Sequence, residues 1–346
     1  MPIGHRVRRD LSRLLTLLLF LGAFSAAAQE ASRGQTKDQT KDQQEELPTF
    51  RATVNVVNLF FNVKDKKGGL IPNLAKGDFE VFEDGKPEAI KYFSADTNQP
   101  LTLGILIDTS ASQQRVLPME QEVGAAFLRE VLNPKDLAFV INFDVNVELQ
   151  QDFTNSTRDL RDALYRVRIN SGSPPATGIP GVGGGPIPQR GTPKGTLLYD
   201  AIFLAADEKL RNEVGRKAMI ILTDGEDQGS MMTLKRAVEA AQKADTIVYV
   251  LLIADRGFYY GMMGYSGDRD MKQVTEQTGG RLIEVGNKYQ KVKEAFDQIA
   301  AELRSQYSLG YTPTNAAHDG SFRRVEVRSK QGYHIQTRKG YYAPTR

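Results

Sequence analysis

Cysteine and tryptophan are both absent from the 346 residues. Without cysteine the chain has no disulfide, no lipid-modified N-terminal cysteine, no thiolate metal ligand and no cysteine nucleophile. Histidine is scarce: beyond His5 there are only His318 and His334, both in a C-terminal stretch of β character. Chemistry centred earlier in the chain therefore lacks the commonest general base. Long apolar runs are rare as well. Only Leu14 to Phe24 is nearly unbroken, and it is short for a full membrane span.

That run has a specific setting. Arg6, Arg8, Arg9 and Arg13 precede it and Ser25-Ala26-Ala27-Ala28 follows, the order of a secretory signal peptide with cleavage after Ala28. Residues 1–28 carry four Arg and one Asp, net +3, which equals the +3 of the whole chain, so the mature chain is near neutral. Nucleic-acid binding then has no electrostatic basis. The expected product is secreted or periplasmic, with no stable membrane anchor after cleavage.

The length suits two domains or one elaborated domain. Residues 29–48 are rich in Gln, Lys, Asp, Glu and Thr and read as a flexible linker, because they have too little apolar surface to offset the entropy of ordering. Residues 49–97 read as a small accessory β region: Val54, Val56, Val57, Leu59, Phe60, Phe61 and Val63 form a strand, and Asp84-Gly85 sets a hairpin turn. From residue 98 to 304, apolar strands at Leu101–Asp108, Leu137–Phe143, Ala218–Leu222 and Thr246–Ile253 alternate with amphipathic helical segments. One helix carries Met119, Val123, Phe127 and Val131 at helical spacing behind Pro118. The alternation predicts an α/β domain with a doubly wound, mostly parallel, Rossmann-like sheet flanked by helices. Residues 305–346 return to β character and are expected to pack on the accessory region.

The central run Leu101-Thr102-Leu103-Gly104-Ile105-Leu106-Ile107 ends in Asp108, with Ser110 and Ser112 alternating behind it. The C-terminal tips of strands in open α/β sheets border the ligand crevice. Asp108, Ser110 and Ser112 are therefore hard oxygen donors where a site is expected, suited to Mg²⁺ or Mn²⁺. Two later stretches add Thr196, at the start of a helix in Gly195-Thr196-Leu197-Leu198-Tyr199-Asp200-Ala201, and Asp224, at the end of Ile220-Ile221-Leu222-Thr223-Asp224-Gly225. Glu226 and Asp227 just beyond read as surface loop acids.

These motifs resemble the von Willebrand factor type A (VWA) family, whose metal-ion-dependent adhesion site (MIDAS) uses D-x-S-x-S, a distant Thr and a distant Asp. The five positions correspond to Asp108, Ser110, Ser112, Thr196 and Asp224. The stretches D-F-x-V-x-E-D-G-K from Asp78, Y-S-L-G-Y-T-P from Tyr307 and R-K-G-Y-Y-A-P from Arg338 look closer still to a secreted bacterial family of VWFA-related domains of the acidobacterial type. The resemblance implies a VWA fold and a divalent cation, Mg²⁺ or else Mn²⁺ or Ca²⁺. Three neutral hydroxyls and two carboxylates leave such a cation electrophilic, with room for a Glu or Asp from a partner protein. A non-enzymatic adhesion module follows.

Two other functions are compatible with the same residues. One is a structural envelope or assembly component in which the cation only stabilises the fold. The other is a metal-dependent hydrolase, for which Ser110 and Ser112 have no evident base. The Gly/Pro-rich stretch 170–195 contains neither G-x-G-x-x-G nor G-x-x-x-x-G-K-[ST], so no nucleotide is expected there. Since it feeds Thr196, it reads as a mobile rim of the site, with a passive insertion as the alternative. A second rim candidate is the aromatic and thioether cluster Phe258, Tyr259, Tyr260, Met262, Met263 and Tyr265, which suits either a protein contact or packing back onto the domain's own helices.

Overall fold

The chain enters as strand β1 (Val57–Lys64), whose alternating Val57, Leu59, Phe61 and Val63 are buried, as a strand with one face on a core requires. The computed structural model describes residues 56–95, 99–170, 195–253 and 267–345. Strands β2 (Phe79–Glu83) and β3 (Lys86–Glu88) form the hairpin predicted around Asp84-Gly85. Both turn residues take positive φ, 47° and 80°, which matches the right-handed twist of the flanking strands. Strand β4 (Ile90–Ser94) completes this N-terminal group.

Strand β5 (Leu101–Asp108) is buried at every position. That burial explains its unbroken apolar run, since helices cover both faces. After it come helix α1 (Leu117–Val131), β6 (Leu137–Phe143), β7 (Val147–Thr154) and α2 (Thr157–Arg166). Pro118 occupies the first turn of α1, and Ser156 caps α2 by accepting the Asp159 amide at 3.2 Å. Helix α3 (Leu198–Leu204) continues as a π-helical turn over Ala205–Leu210. Then follow β8 (Arg216–Thr223), α4 (Leu234–Lys243), β9 (Thr246–Leu252), α5 (Gly267–Thr278), β10 (Leu282–Glu284) and α6 (Tyr289–Arg304).

The central sheet has the order β10-β9-β8-β5-β6-β7. All its pairings are parallel except β6 with β7. Helices α1, α2 and α6 cover one face, and α3, α4 and α5 the other. This is the doubly wound α/β layer. Strand β7 was not evident in the sequence, because V-E-L-Q-Q-D-F-T is a polar edge strand with one neighbour and little buried surface.

Strands β11 (Tyr307–Tyr311), β12 (Phe322–Ser329), β13 (His334–Gln336) and β14 (Gly340–Tyr342) join the N-terminal group. They form two antiparallel sheets, β13-β1-β11-β4 and β14-β12-β2-β3, over one shared core. Phe61 packs edge-on to Phe79 at 5.1 Å and stacks on Tyr307 at 5.4 Å. Glu83 is buried with Arg323 and accepts hydrogen bonds from the Tyr311 and Tyr341 hydroxyls, each at 2.8 Å. Glu302 of α6 ties the α/β layer to the sandwich through Lys64 of β1 at 2.9 Å, and also pairs at 2.9 Å with Arg281, just ahead of β10. No helix among the described residues is long and apolar enough to cross a membrane.

Candidate functional site

In the order β10-β9-β8-β5-β6-β7 the chain leaves β5 toward β6 and later returns to β8 on the opposite side. The crevice between the β5 and β8 tips is therefore the topological switch point, where open α/β sheets bind ligands. Strand β5 ends in Asp108, and Asp224 follows the last residue of β8.

Asp108 has no exposed surface. Its Oδ1 accepts the Ser110 amide at 2.9 Å, and its Oδ2 accepts the Thr223 hydroxyl at 2.7 Å. A 3-10 turn over Ala111–Gln113 then brings the Ser110 and Ser112 hydroxyls within 2.9 Å of each other. Ser112 Oγ donates to Asp224 Oδ2 at 2.6 Å, and Asp224 Oδ1 accepts the Glu226 amide at 3.2 Å. Asp108, Ser110, Ser112 and Asp224 thus belong to one hydrogen-bonded chain.

Thr196 is buried, and its backbone is tied to the loops beyond β8 and β6: its carbonyl accepts the Gln228 amide at 2.9 Å, and the next amide, Leu197, donates to the Asp144 carbonyl at 2.8 Å. The segment before α3 and the loop after β8 lock together. Asp227 Oδ1 accepts the Tyr199 amide at 3.1 Å, while Asp200 accepts the Met231 and Met232 amides at 3.0 and 2.8 Å. Asp227 and Glu226 are half-buried, which corrects the expectation of surface acids. Glu226 accepts the Gly267 amide at 3.1 Å, so both side chains hold the loop behind Asp224. Gly225 takes φ +87°, and a Cβ on it would lie 2.8 Å from the Gly267 carbonyl oxygen. Only a residue without a side chain allows this approach of β8's loop to the start of α5.

Several residues here were not singled out from the sequence. Thr223 orients Asp108. Gln113 is buried, with Oε1 unpaired. Glu120, in the first turn of α1, is 1 % exposed, and neither carboxylate oxygen has a hydrogen-bond partner. A signal existed: Glu120, Val123, Phe127 and Val131 are spaced 3, 4 and 4 apart, so Glu120 heads the buried stripe of α1. Met119, named first in that stripe, is only half-buried.

Burial, and after it the neighbouring Asp224 charge, push the Asp108 carboxyl well above its ordinary range. Burial pushes Glu120 up too, followed by the charges of Asp108 and Asp224. The donor set consists of carboxylates, hydroxyls and unpaired carbonyl-type oxygens, which suits a hard cation such as Mg²⁺. Among the described residues, no three His, Cys, Asp or Glu side chains are arranged to hold a metal by themselves. A cation here would therefore depend on the serine and threonine hydroxyls.

His318 and His334 both lie in the accessory sandwich, in the β11–β12 connection and on β13. A cavity of about 690 Å³ between the sandwich and the α/β layer is lined by Arg323, Arg338, Lys243 and Arg211, and by none of the five predicted ligands. Its cations are already paired, with Glu83, Asp245, Glu239 and Asp207. The cluster Phe258, Tyr259, Tyr260, Met262, Met263 and Tyr265 and most of stretch 170–195 lie outside the described residues, as do residues 1–55.

No family model and no curated protein matches the chain. Among solved structures it is similar to the conserved hypothetical protein BatB from Bacteroides thetaiotaomicron, at 20% identity over 59% of this chain and 97% of that one, with a TM-score of 0.40. A von Willebrand factor type A protein from Catenulispora acidiphila is similar at 11% identity over 84% of this chain and 74% of that one, TM-score 0.46. So is the proximal thread matrix protein 1 of the mussel byssus, described with a zinc-occupied MIDAS motif, at 12% identity over 63% of this chain and 48% of that one, TM-score 0.46. Each likeness is one of fold, and the chemistry of the crevice rests on the residues described above.

Proposed function

We propose that this chain is a secreted, cation-dependent protein-binding module of VWA type. Asp108, Ser110, Ser112, Thr196 and Asp224 hold one divalent cation, Mg²⁺ or else Mn²⁺ or Ca²⁺, and an acidic residue of a partner protein completes its shell. The observation that carries this reading is the hydrogen-bonded chain from Asp108 through Ser110 and Ser112 to Asp224 at the switch point of the sheet. Hydroxyls that now bond one another can turn their lone pairs to a cation without moving the backbone.

A bound cation supplies an electrophilic position for an oxygen ligand. The protein's part is to keep that position fixed. Thr223 holds one face of Asp108, while Asp227, Asp200 and Glu226 anchor the loop that presents Asp224. Hydrolysis is disfavoured because the histidines of the mature chain belong to the sandwich. Export rests on the charged, apolar and small-residue order of residues 6–28.

The test is an array of immobilised peptides in pairs, each Glu- or Asp-bearing peptide beside its Gln or Asn counterpart, probed with the mature chain in Mg²⁺ and in EDTA. Binding that needs both the carboxylate and the cation is expected. Peptide binding indifferent to EDTA, or to the acid, would refute the reading.

A further inference from the structure

Lys64, Gln336 and Glu302 form a closed triangle at the seam between the sandwich and the α/β layer. Lys64 Nζ, on β1, donates to Gln336 Oε1 of β13 at 2.7 Å and to Glu302 Oε1 of α6 at 2.9 Å. Gln336 Nε2 donates to the other carboxylate oxygen, Glu302 Oε2, at 3.2 Å and to the Gly279 carbonyl at 3.1 Å. All three contacts of the amide agree on its orientation. Lys64 is 8 % exposed and Glu302 2 %. Arg216, the first residue of β8, donates to the Leu303 carbonyl, so the triangle sits at the starts of the parallel strands and not at the tips that hold Asp108 and Asp224.

The amide carbon Cδ lies one C=O bond beyond Oε1, so Lys64 Nζ is within about 3.9 Å of it, close to the separation of atoms poised to react. One carboxylate touches the nitrogen that would attack with one oxygen and the nitrogen that would leave with the other. That is the placement a proton carrier requires. We propose that Lys64 and Gln336 become joined by an isopeptide bond, with Glu302 carrying the protons. Lysine is a competent nucleophile once its ammonium proton is taken. Nζ gives up two protons and bonds to Cδ; the Cδ–Nε2 bond breaks, and Nε2 gains two protons and departs as ammonium. Glu302 ends unchanged, and no oxidant or reductant takes part. The α/β layer, from β5 to α6, lies between the joined residues in sequence, so the bond staples β1 to β13 across everything inserted between them. In a chain without cysteine it takes the place of a disulfide.

The experiment is tryptic digestion and tandem mass spectrometry of residues 29–346, incubated folded at neutral pH and sampled until nothing further changes, for the parent, Lys64→Arg and Glu302→Gln. The bond should appear as a branched peptide, Ala52–Lys66 joined through Lys64 to Gln336 of Gln331–Arg338, lighter than the sum of its parts by one ammonia, about 17 Da. The branch has to be located in the digest, because an N-terminal Gln29 that cyclises loses the same mass. K64R keeps a cation for Glu302 and should release Gln331–Arg338 as a free peptide. E302Q keeps both reacting side chains and should form the branch at least about 100-fold more slowly. A parent that yields only the two separate peptides, with trypsin cutting after Lys64, would overturn the proposal. Branching in E302Q as fast as in the parent would overturn it as well, by removing the proton carrier on which it depends.

Discussion

Ser112 Oγ donates to Asp224 Oδ2 at 2.6 Å across a separation of 112 residues. That contact joins the tip of β5 to the tip of β8, the two strands on either side of the switch point. It can form only when β5 and β8 are paired, so the site depends on that central pairing.

The pH dependence of the cation-free protein has a defined sign. Burial and the Asp224 charge hold the Asp108 carboxyl up at about 7, above its unfolded value of 3.8. Its stabilising contribution is then complete below pH 4 and is lost as pH rises through about 7. In EDTA the parent should lose roughly 2–3 kcal/mol relative to Asp108→Asn between pH 5 and 8. Urea midpoints at those pH values measure it. With saturating Mg²⁺ the trend should reverse, because the cation binds the ionised carboxylates. Equal pH profiles for parent and variant in EDTA would contradict the account.

Asp200 holds the Met231 and Met232 amides and so braces the loop that carries Asp224. Asp200→Ala should cost about 1–2 kcal/mol by leaving two amides without their acceptor. The cation affinity should fall as well, because the loop is freer. Denaturant unfolding and Mn²⁺ titration of the same preparation would show whether both change together.

Gly225 adopts φ +87° and approaches the Gly267 carbonyl too closely for a side chain. Gly225→Ala combines a left-handed backbone penalty with a steric clash and should destabilise by about 1–3 kcal/mol. Gly286 also has positive φ, at 57°, but nothing lies within 4 Å of its added Cβ. Gly286→Ala should therefore cost less than Gly225→Ala, and thermal melts of the pair separate clash from backbone strain.

Much of this was legible in the sequence where one physical demand dominates. The stretch L-T-L-G-I-L-I-D must be a strand covered on both faces, and Asp84-Gly85 must turn a hairpin, because few alternatives satisfy that burial or those φ angles. The motif residues Asp108, Ser110, Ser112 and Asp224 stood out for the same reason: polar groups at the tips of apolar strands have few uses. Less legible was β7, whose polar run is stabilised by pairing on one side only. Glu120 stayed hidden because an acid at helical spacing within an amphipathic segment looks solvent-facing until the burial of its helix face is known. The bracing roles of Asp200 and Asp227 depend on contacts between segments about 30 residues apart, which no local pattern reports.

The central claim is that a divalent cation occupies the crevice between β5 and β8. The most direct measurement is thermal unfolding of residues 29–346 in EDTA and then in excess Mg²⁺ or Mn²⁺, beside Asp108→Asn. A cation at about a hundred times its dissociation constant should add about 2.7 kcal/mol, or roughly 5–10 °C, to the parent. The variant should show no shift. Equal shifts in both proteins, or none in the parent at millimolar cation, would contradict the claim.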